Sequence, residues 1–136
     1  MASKVVLANG CFDLFHYGHL MHLEAAKGLG DQLIVSVTND WNVNKGVGRP
    51  IFDHFKRAAI IKSLRCVDGV IIVCSSIEAL KRINPDTFVK GNDYSLDKMN
   101  EEDVKFCIKN NINIAFTSTE KFSSTEIIKE VLDEFG

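Results

Sequence analysis

Short runs rich in valine and isoleucine alternate along this chain with amphipathic stretches of helical length, and that alternation leaves few folds open. The runs are Lys4–Ala8, Gln32–Thr38, Gly69–Val73, Thr87–Lys90 and Asn113–Thr117. Each is short and apolar, and reads as a buried strand. Between them, Leu20, Leu23, Ala26 and Leu29 recur at helical spacing. So do Phe55, Ala59, Ile60 and Leu64, behind the N-cap residue Asp53. Ser76 is placed to cap a short helix ending near Arg82. Asn100-Glu101-Glu102-Asp103 puts acids in the first turn of a helix running to Lys109, which suits the macrodipole. Ile127, Ile128, Val131 and Leu132 mark a last helix. The alternation implies an α/β protein: a doubly wound sheet of about five parallel strands in three layers, with right-handed crossovers.

A chain of 136 residues fits one domain, residues 1–136. At 46% hydrophobic and 25% charged it is globular in composition, which excludes disordered, collagenous and low-complexity classes. A net charge of −2 lacks the basic excess of a general nucleic-acid binder, so anions would have to meet a local cluster. No apolar run approaches the ~20 residues of a membrane span. The run behind Met1-Ala2-Ser3-Lys4 is too short for a signal-peptide core. Cys11, Cys66, Cys74 and Cys107 form no C-x-x-C pair, which argues against a zinc knuckle or a thioredoxin motif. Four thiols without an export signal fit a reducing cytosol. Cys66, Cys74 and Cys107 read as small buried hydrophobes.

In such a sheet ligands bind beyond the carboxyl ends of the strands, near the switch point. The first run is followed by Asn9-Gly10-Cys11-Phe12-Asp13-Leu14-Phe15-His16-Tyr17-Gly18-His19. The pattern H-x-G-H falls where a strand turns into a helix and backbone N–H groups favour anions. Gly10 allows a tight turn and close backbone approach, and Gly18 removes a side chain that would block a phosphate. His16 and His19, three apart, can place both rings on one face. Each can donate to phosphoryl oxygens, where charge develops as the α-phosphorus of a nucleoside triphosphate is attacked. The plainer alternative is two satisfied histidines at a helix start.

Other strand ends supply supporting residues. Lys45-Gly46-Val47-Gly48-Arg49 sets two cations among glycines, as a phosphate loop or a solvated one. Lys90-Gly91-Asn92-Asp93-Tyr94 fits a loop over a nucleotide. Ser123, Ser124 and Thr125 can cap the last helix and also hold a phosphate. Arg57 reads by default as a solvated helix face, and Arg65 as a dipole partner or a phosphate ligand. Asp13 could orient the loop or touch an acceptor substrate, Asp40 is similarly placed after its strand, and Asp68 reads as a holder of backbone. The P-loop, H-E-x-x-H and G-x-S-x-G patterns are missing from the sequence. Gly28-Leu29-Gly30 ends a helix instead of opening one, unlike a dinucleotide fingerprint.

Gly10-Cys11-Phe12-Asp13-Leu14 followed by His16-Tyr17-Gly18-His19 resembles the signature of the H-x-G-H nucleotidyltransferases, the cytidylyltransferase-like superfamily. Leu29-Gly30-Asp31-Gln32-Leu33-Ile34-Val35 is similar to the helix-to-strand passage of two of its groups. These are the glycerol-3-phosphate cytidylyltransferases and the adenylyltransferase domain of ADP-heptose synthases. Gly48-Arg49-Pro50-Ile51, Leu64-Arg65-Cys66-Val67-Asp68, and Pro85-Asp86 with Val89-Lys90-Gly91-Asn92-Asp93-Tyr94 look most like the heptose group. Ser123-Ser124-Thr125-Glu126-Ile127-Ile128 is similar to the closing S-T-T-x-I motif, and the resemblance runs from Val5 to about Leu132.

The resemblance implies a Rossmann-like fold and transfer of a nucleoside monophosphate from ATP, or from CTP, to a phosphorylated sugar such as heptose 1-phosphate. Pyrophosphate is released, and the product serves lipopolysaccharide synthesis. The alternative it implies is cytidylyl transfer to glycerol 3-phosphate or another polyol phosphate. It also implies Mg²⁺ held mainly by substrate phosphates with no dedicated protein site, a homodimer, a cytoplasmic setting, and neither nucleic acid nor membrane insertion. Carried over residue by residue, His16, His19, Lys45 and Arg57 are catalytic. Gly10, Cys11, Phe12, Gly18, Lys90, Gly91, Asn92, Asp93, Ser123, Ser124 and Thr125 bind nucleotide, with Cys11 as a backbone contact, not a nucleophile. Asp13, Asp40, Arg49 and Arg65 meet the acceptor. Asn92 departs from the acid of one group and the glycine of the other. Ser118 and Lys121 replace the arginine and a glycine of the glycerol-phosphate motif. A non-catalytic module that holds a nucleotide is the rival of a different class.

Overall fold

A computed structural model describes residues 3–43, 46–91, 96–117 and 132. Strands β1 (Val5–Gly10), β2 (Gln32–Thr38), β3 (Gly69–Val73), β4 (Thr87–Lys90) and β5 (Asn113–Phe116) form one parallel sheet in the order β3-β2-β1-β4-β5. Helices α1 (Tyr17–Lys27), α2 (His54–Lys62), α3 (Ser76–Ile83) and α4 (Glu101–Lys109) connect them. The strands fall on the apolar runs, except that β1 starts at Val5 and runs on past Ala8, and β5 ends at Phe116, before Thr117. β1 continues to Gly10 because Asn9 and Gly10 still pair with Ser36 and Val37, and Asn9 Nδ2 donates to Ser36 Oγ at 2.7 Å.

Alternate residues of the central strand feed opposite layers, as the pleat requires. Val6 and Ala8 join Leu23, Ala26, Leu33, Val35 and Ile61 on the side of α1 and α2. Leu7 joins Phe88, Ala79, Leu80 and Cys107 on the side of α3 and α4. The winding runs β1-β2-β3 in one direction and β4-β5 in the other, so the switch point lies between β1 and β4.

Three helix readings need correction. On α2, Phe55 is 69% exposed and Ile60 is exposed, whereas His54, Arg57 and Ile61 are buried. The inward face is thus rotated from the apolar one, because loop carbonyls beneath α2 require a donor that Arg57 supplies. Leu29 lies beyond the end of α1 and is exposed. Ser75, not Ser76, caps α3 by accepting from the Glu78 N–H, which frees Ser76 Oγ to donate to Asp103 Oδ2 at 2.5 Å. Of the cysteines read as buried, Cys107 is buried, Cys66 is intermediate and Cys74 is exposed. Burial and the neighbouring Asp103 push the Cys107 thiol up to about 11. The expected last helix lies outside the described residues except for Leu132, which is helical and exposed.

Candidate active site

The chain leaves β1 at the carboxyl end of the sheet, beside β4. Phe12 and Leu14 there adopt left-handed backbone, with φ of +54° and +53°, a region that residues with side chains seldom enter. Packing holds them in it. Phe12 is 6% exposed, and a Cβ on Gly10 would lie 2.9 Å from its ring. The close approach that requires glycine at position 10 is therefore that of the Phe12 ring. Phe12, expected at the nucleotide, is a core residue that shapes the loop, set edge-on to His19 with centroids 5.3 Å apart.

His16 and His19 open α1 with a reciprocal cap. His16 is the N-cap residue, with extended backbone, and its Nδ1 accepts the Gly18 N–H at 3.1 Å. His19 Nδ1 accepts the His16 N–H at 3.3 Å. The rings stack with centroids 3.7 Å apart and planes 20° from parallel. A ring nitrogen that accepts from a backbone N–H carries no proton, so each neutral ring bears its hydrogen on Nε2. The cap thus fixes the tautomer and orientation of both rings at the positive end of a helix. Gly18, buried, serves the cap through its own N–H.

Two ion pairs support this loop, Arg49–Asp13 buried on both sides and Arg57–Asp40 with only the arginine buried. Asp13, with its side chain wholly buried, accepts from the Ile51 N–H at 2.7 Å, the Phe52 N–H at 3.0 Å and Arg49 Nε at 2.8 Å. Of the two roles open to Asp13, this geometry is loop orientation, and Arg49 is committed to the same pair with its side chain 6% exposed. Burial pushes the Asp13 carboxyl up. The Phe52 and Ile51 N–H groups and Arg49 outweigh that and hold it below its ordinary value. A carboxylate so depressed stabilises the fold fully above its unfolded value, near about pH 4, and loses that contribution as pH falls through the folded one. Asp13→Asn is therefore expected to lower stability by about 2 kcal/mol at neutral pH. The gap from wild type should narrow in urea titrations run below about pH 4.

Arg57 is fully buried and spans three segments. Nε donates to Phe52 O at 2.9 Å, Nη1 to Cys11 O at 2.8 Å and Thr38 O at 2.7 Å, and Nη2 to Asp40 Oδ1 at 2.7 Å. The loop after β1, the end of β2 and the start of α2 are thereby held together. Arg57 is therefore not the solvated helix face its surroundings in the sequence imply, and where the family resemblance implies a phosphate contact, its bonds in this structure run to carbonyls and to Asp40, which positions the loop. Cys11 takes part through its carbonyl. Asp40, expected at the acceptor, is the partner of Arg57, and its backbone N–H donates to His54 Nδ1 at 3.1 Å.

Lys90 ends β4 across the switch point, with Nζ 5.3 Å from the Phe88 ring centroid, and Gly91 follows it. Arg65 is not brought to this group. It lies exposed past the end of α2, and a crossover helix runs back along the sheet, so its last turn sits at the strands' amino ends. Asp68 holds backbone as expected, accepting from the Leu33 N–H at 2.8 Å and from Lys27 Nζ. Lys45, Asn92, Asp93, Ser123, Ser124 and Thr125 lie outside the described residues. Two contacts escaped the sequence reading. His54 follows the cap Asp53 directly, and His22 continues the three-residue spacing of His16 and His19 to reach Thr117. Among the described residues no three His, Cys, Asp or Glu side chains converge as metal ligands.

A paired-histidine helix start thus stands at the switch point of a doubly wound α/β sheet. The chain belongs to the cytidylyltransferase-like family, whose model it matches over residues 7–130. Bifunctional protein HldE of Pseudomonas savastanoi pv. phaseolicola is 37% identical over 133 residues, 95% of this chain and 28% of that protein. HldE of Helicobacter hepaticus is 46% identical over 96 residues, 68% of this chain and 20% of that protein. The chain thus spans between 20% and 28% of the length of these relatives. A lipopolysaccharide core biosynthesis protein from Thermoplasma volcanium superposes with a TM-score of 0.75 at 30% identity, covering 88% of this chain and 100% of that one. A bifunctional NMN adenylyltransferase/ADP ribose pyrophosphatase from Francisella tularensis, complexed with AMP and a manganese ion, shares the fold. Its TM-score is 0.61 at 16% identity, over 97% of this chain and 42% of that one. No helix among the described residues is long and apolar enough to cross a membrane.

Proposed function

We propose that this chain transfers an adenylyl group from ATP to a phosphorylated sugar of the heptose 1-phosphate type, releasing pyrophosphate, as a step toward lipopolysaccharide precursors. The observation that carries the chemistry is the stacked His16–His19 pair, whose Nδ1 atoms both accept from backbone N–H groups, which fixes the two rings together at the start of α1. An acceptor phosphate oxygen attacks the α-phosphorus in line. The new O–Pα bond forms as the bond to the bridging oxygen breaks, and pyrophosphate leaves with that oxygen. A phosphate monoester has a second pKa near ~6, so it is largely dianionic at pH 7 and needs no general base. Catalysis then rests on positioning and on donors aimed at the developing charge. A divalent ion such as Mg²⁺ would arrive with the triphosphate and would supply neutralisation of its charge.

The choice of ATP and sugar rests on the likeness to HldE and to the lipopolysaccharide core protein, and on the heptose-type wording around Lys90 and Arg65. Four free cysteines support a reducing, cytoplasmic setting. The test offers ATP or CTP, with Mg²⁺, against heptose 1-phosphate or glycerol 3-phosphate, and identifies the product by mass. An ADP-sugar is expected. A CDP-alcohol as the sole product would keep the chemistry and overturn the substrate pair.

A further inference from the structure

Three histidines climb α1 at three-residue intervals, His16, His19 and His22, and the transfer chemistry uses only the first two. His22 Nδ1 lies 2.7 Å from Thr117 Oγ1, a side-chain hydrogen bond between residues 95 positions apart. Thr117 is 4% exposed and stands directly after β5. Its N–H donates to Lys90 O at 3.0 Å. Thr117 is therefore tied to the carboxyl end of β4 by its backbone and to the histidine-bearing helix by its side chain. That chain of bonds crosses the switch point, from the helix that opens the candidate site to the strand end, Lys90–Gly91, on its other side.

We propose that His22 is a positioning residue, which through Thr117 holds the Lys90–Gly91 strand end in register with the His16–His19 pair and so fixes the span that a nucleoside triphosphate must bridge. The inference rests on the nucleotidyltransferase reading. His16 and His19 are locked by their own cap, two turn-local bonds that His22 does not share. Loss of the tie should therefore leave the reacting donors in place and loosen the opposite wall, weakening triphosphate binding more than turnover.

The test measures KM for ATP, kcat, and ATP·Mg²⁺ affinity by calorimetry in wild type, His22→Leu, Thr117→Val and the double variant. Each single change is expected to raise KM and Kd about five- to tenfold, the effect of one hydrogen bond to a neutral partner. Turnover should stay within about twofold by the same argument, and the double variant should be no worse than either single one, because both remove one interaction. His22→Asn, which keeps a polar atom at the Nδ1 position, should restore affinity. Losses that add in the double variant, an unchanged KM, or a kcat that falls in step with thermal stability would each overturn the proposal. A wild type that turns over normally beside indifferent variants overturns it alone. A wild type that neither binds nor uses any triphosphate overturns the reading beneath it, and the proposal with it.

Discussion

His19→Ala is expected to lower kcat for pyrophosphate release by about 10²–10³-fold, the usual cost of removing one preorganised donor from developing charge. Stability should fall far less. The alanine gives up one capping bond to the His16 N–H and one face of the ring stack, about 1 kcal/mol and a few degrees of Tm. His19→Asn separates the two roles. An asparagine Oδ1 stands close to the position of Nδ1 and can still accept the His16 N–H, but it offers nothing at Nε2. It should melt near wild type and remain as slow as the alanine variant. A His19→Asn enzyme within tenfold of wild-type turnover would mean that the Nε2 donor does not act on the reacting phosphate.

Arg57→Lys is expected to act in the opposite sense, through the fold. The guanidinium satisfies Phe52 O, Cys11 O, Thr38 O and Asp40 with its side chain wholly buried. A lysine ammonium cannot span that set, and what it leaves behind is buried and unpaired. The cost should be about 3–5 kcal/mol, a fall in Tm of roughly 10–20 °C for a chain of this size. Activity at low temperature should suffer as well, because Cys11 and the loop carrying the histidines lose their anchor. A variant that melts like wild type yet binds triphosphate poorly would return Arg57 to direct phosphate contact.

The strands were legible because a central parallel strand is apolar on both faces, so its signal needs no knowledge of its neighbours. The histidine pair was legible for a similar reason. Its spacing, its glycine and its place after a strand are all local. Arg57 was misread because the polar demand that buries it comes from Cys11, Thr38 and Phe52, in segments that converge only in the folded chain. The same holds for Asp13, whose partner Arg49 lies 36 residues away. The phase of α2 followed from Arg57, so reading its apolar residues alone rotated the helix. His22 carried a visible clue in its three-residue spacing, but Thr117 gave it meaning only from the far side of the sheet.

The proposed reaction joins a phosphate monoester to the α-phosphorus of a triphosphate without passing through a covalent enzyme intermediate. The most direct measurement is the initial rate of pyrophosphate release with ATP and Mg²⁺, in the presence and absence of heptose 1-phosphate. Release is expected to require both substrates, to saturate in each, and to match the ADP-sugar formed one for one. Pyrophosphate released without any acceptor, or tight triphosphate binding with no release for any phosphate monoester offered, would contradict it.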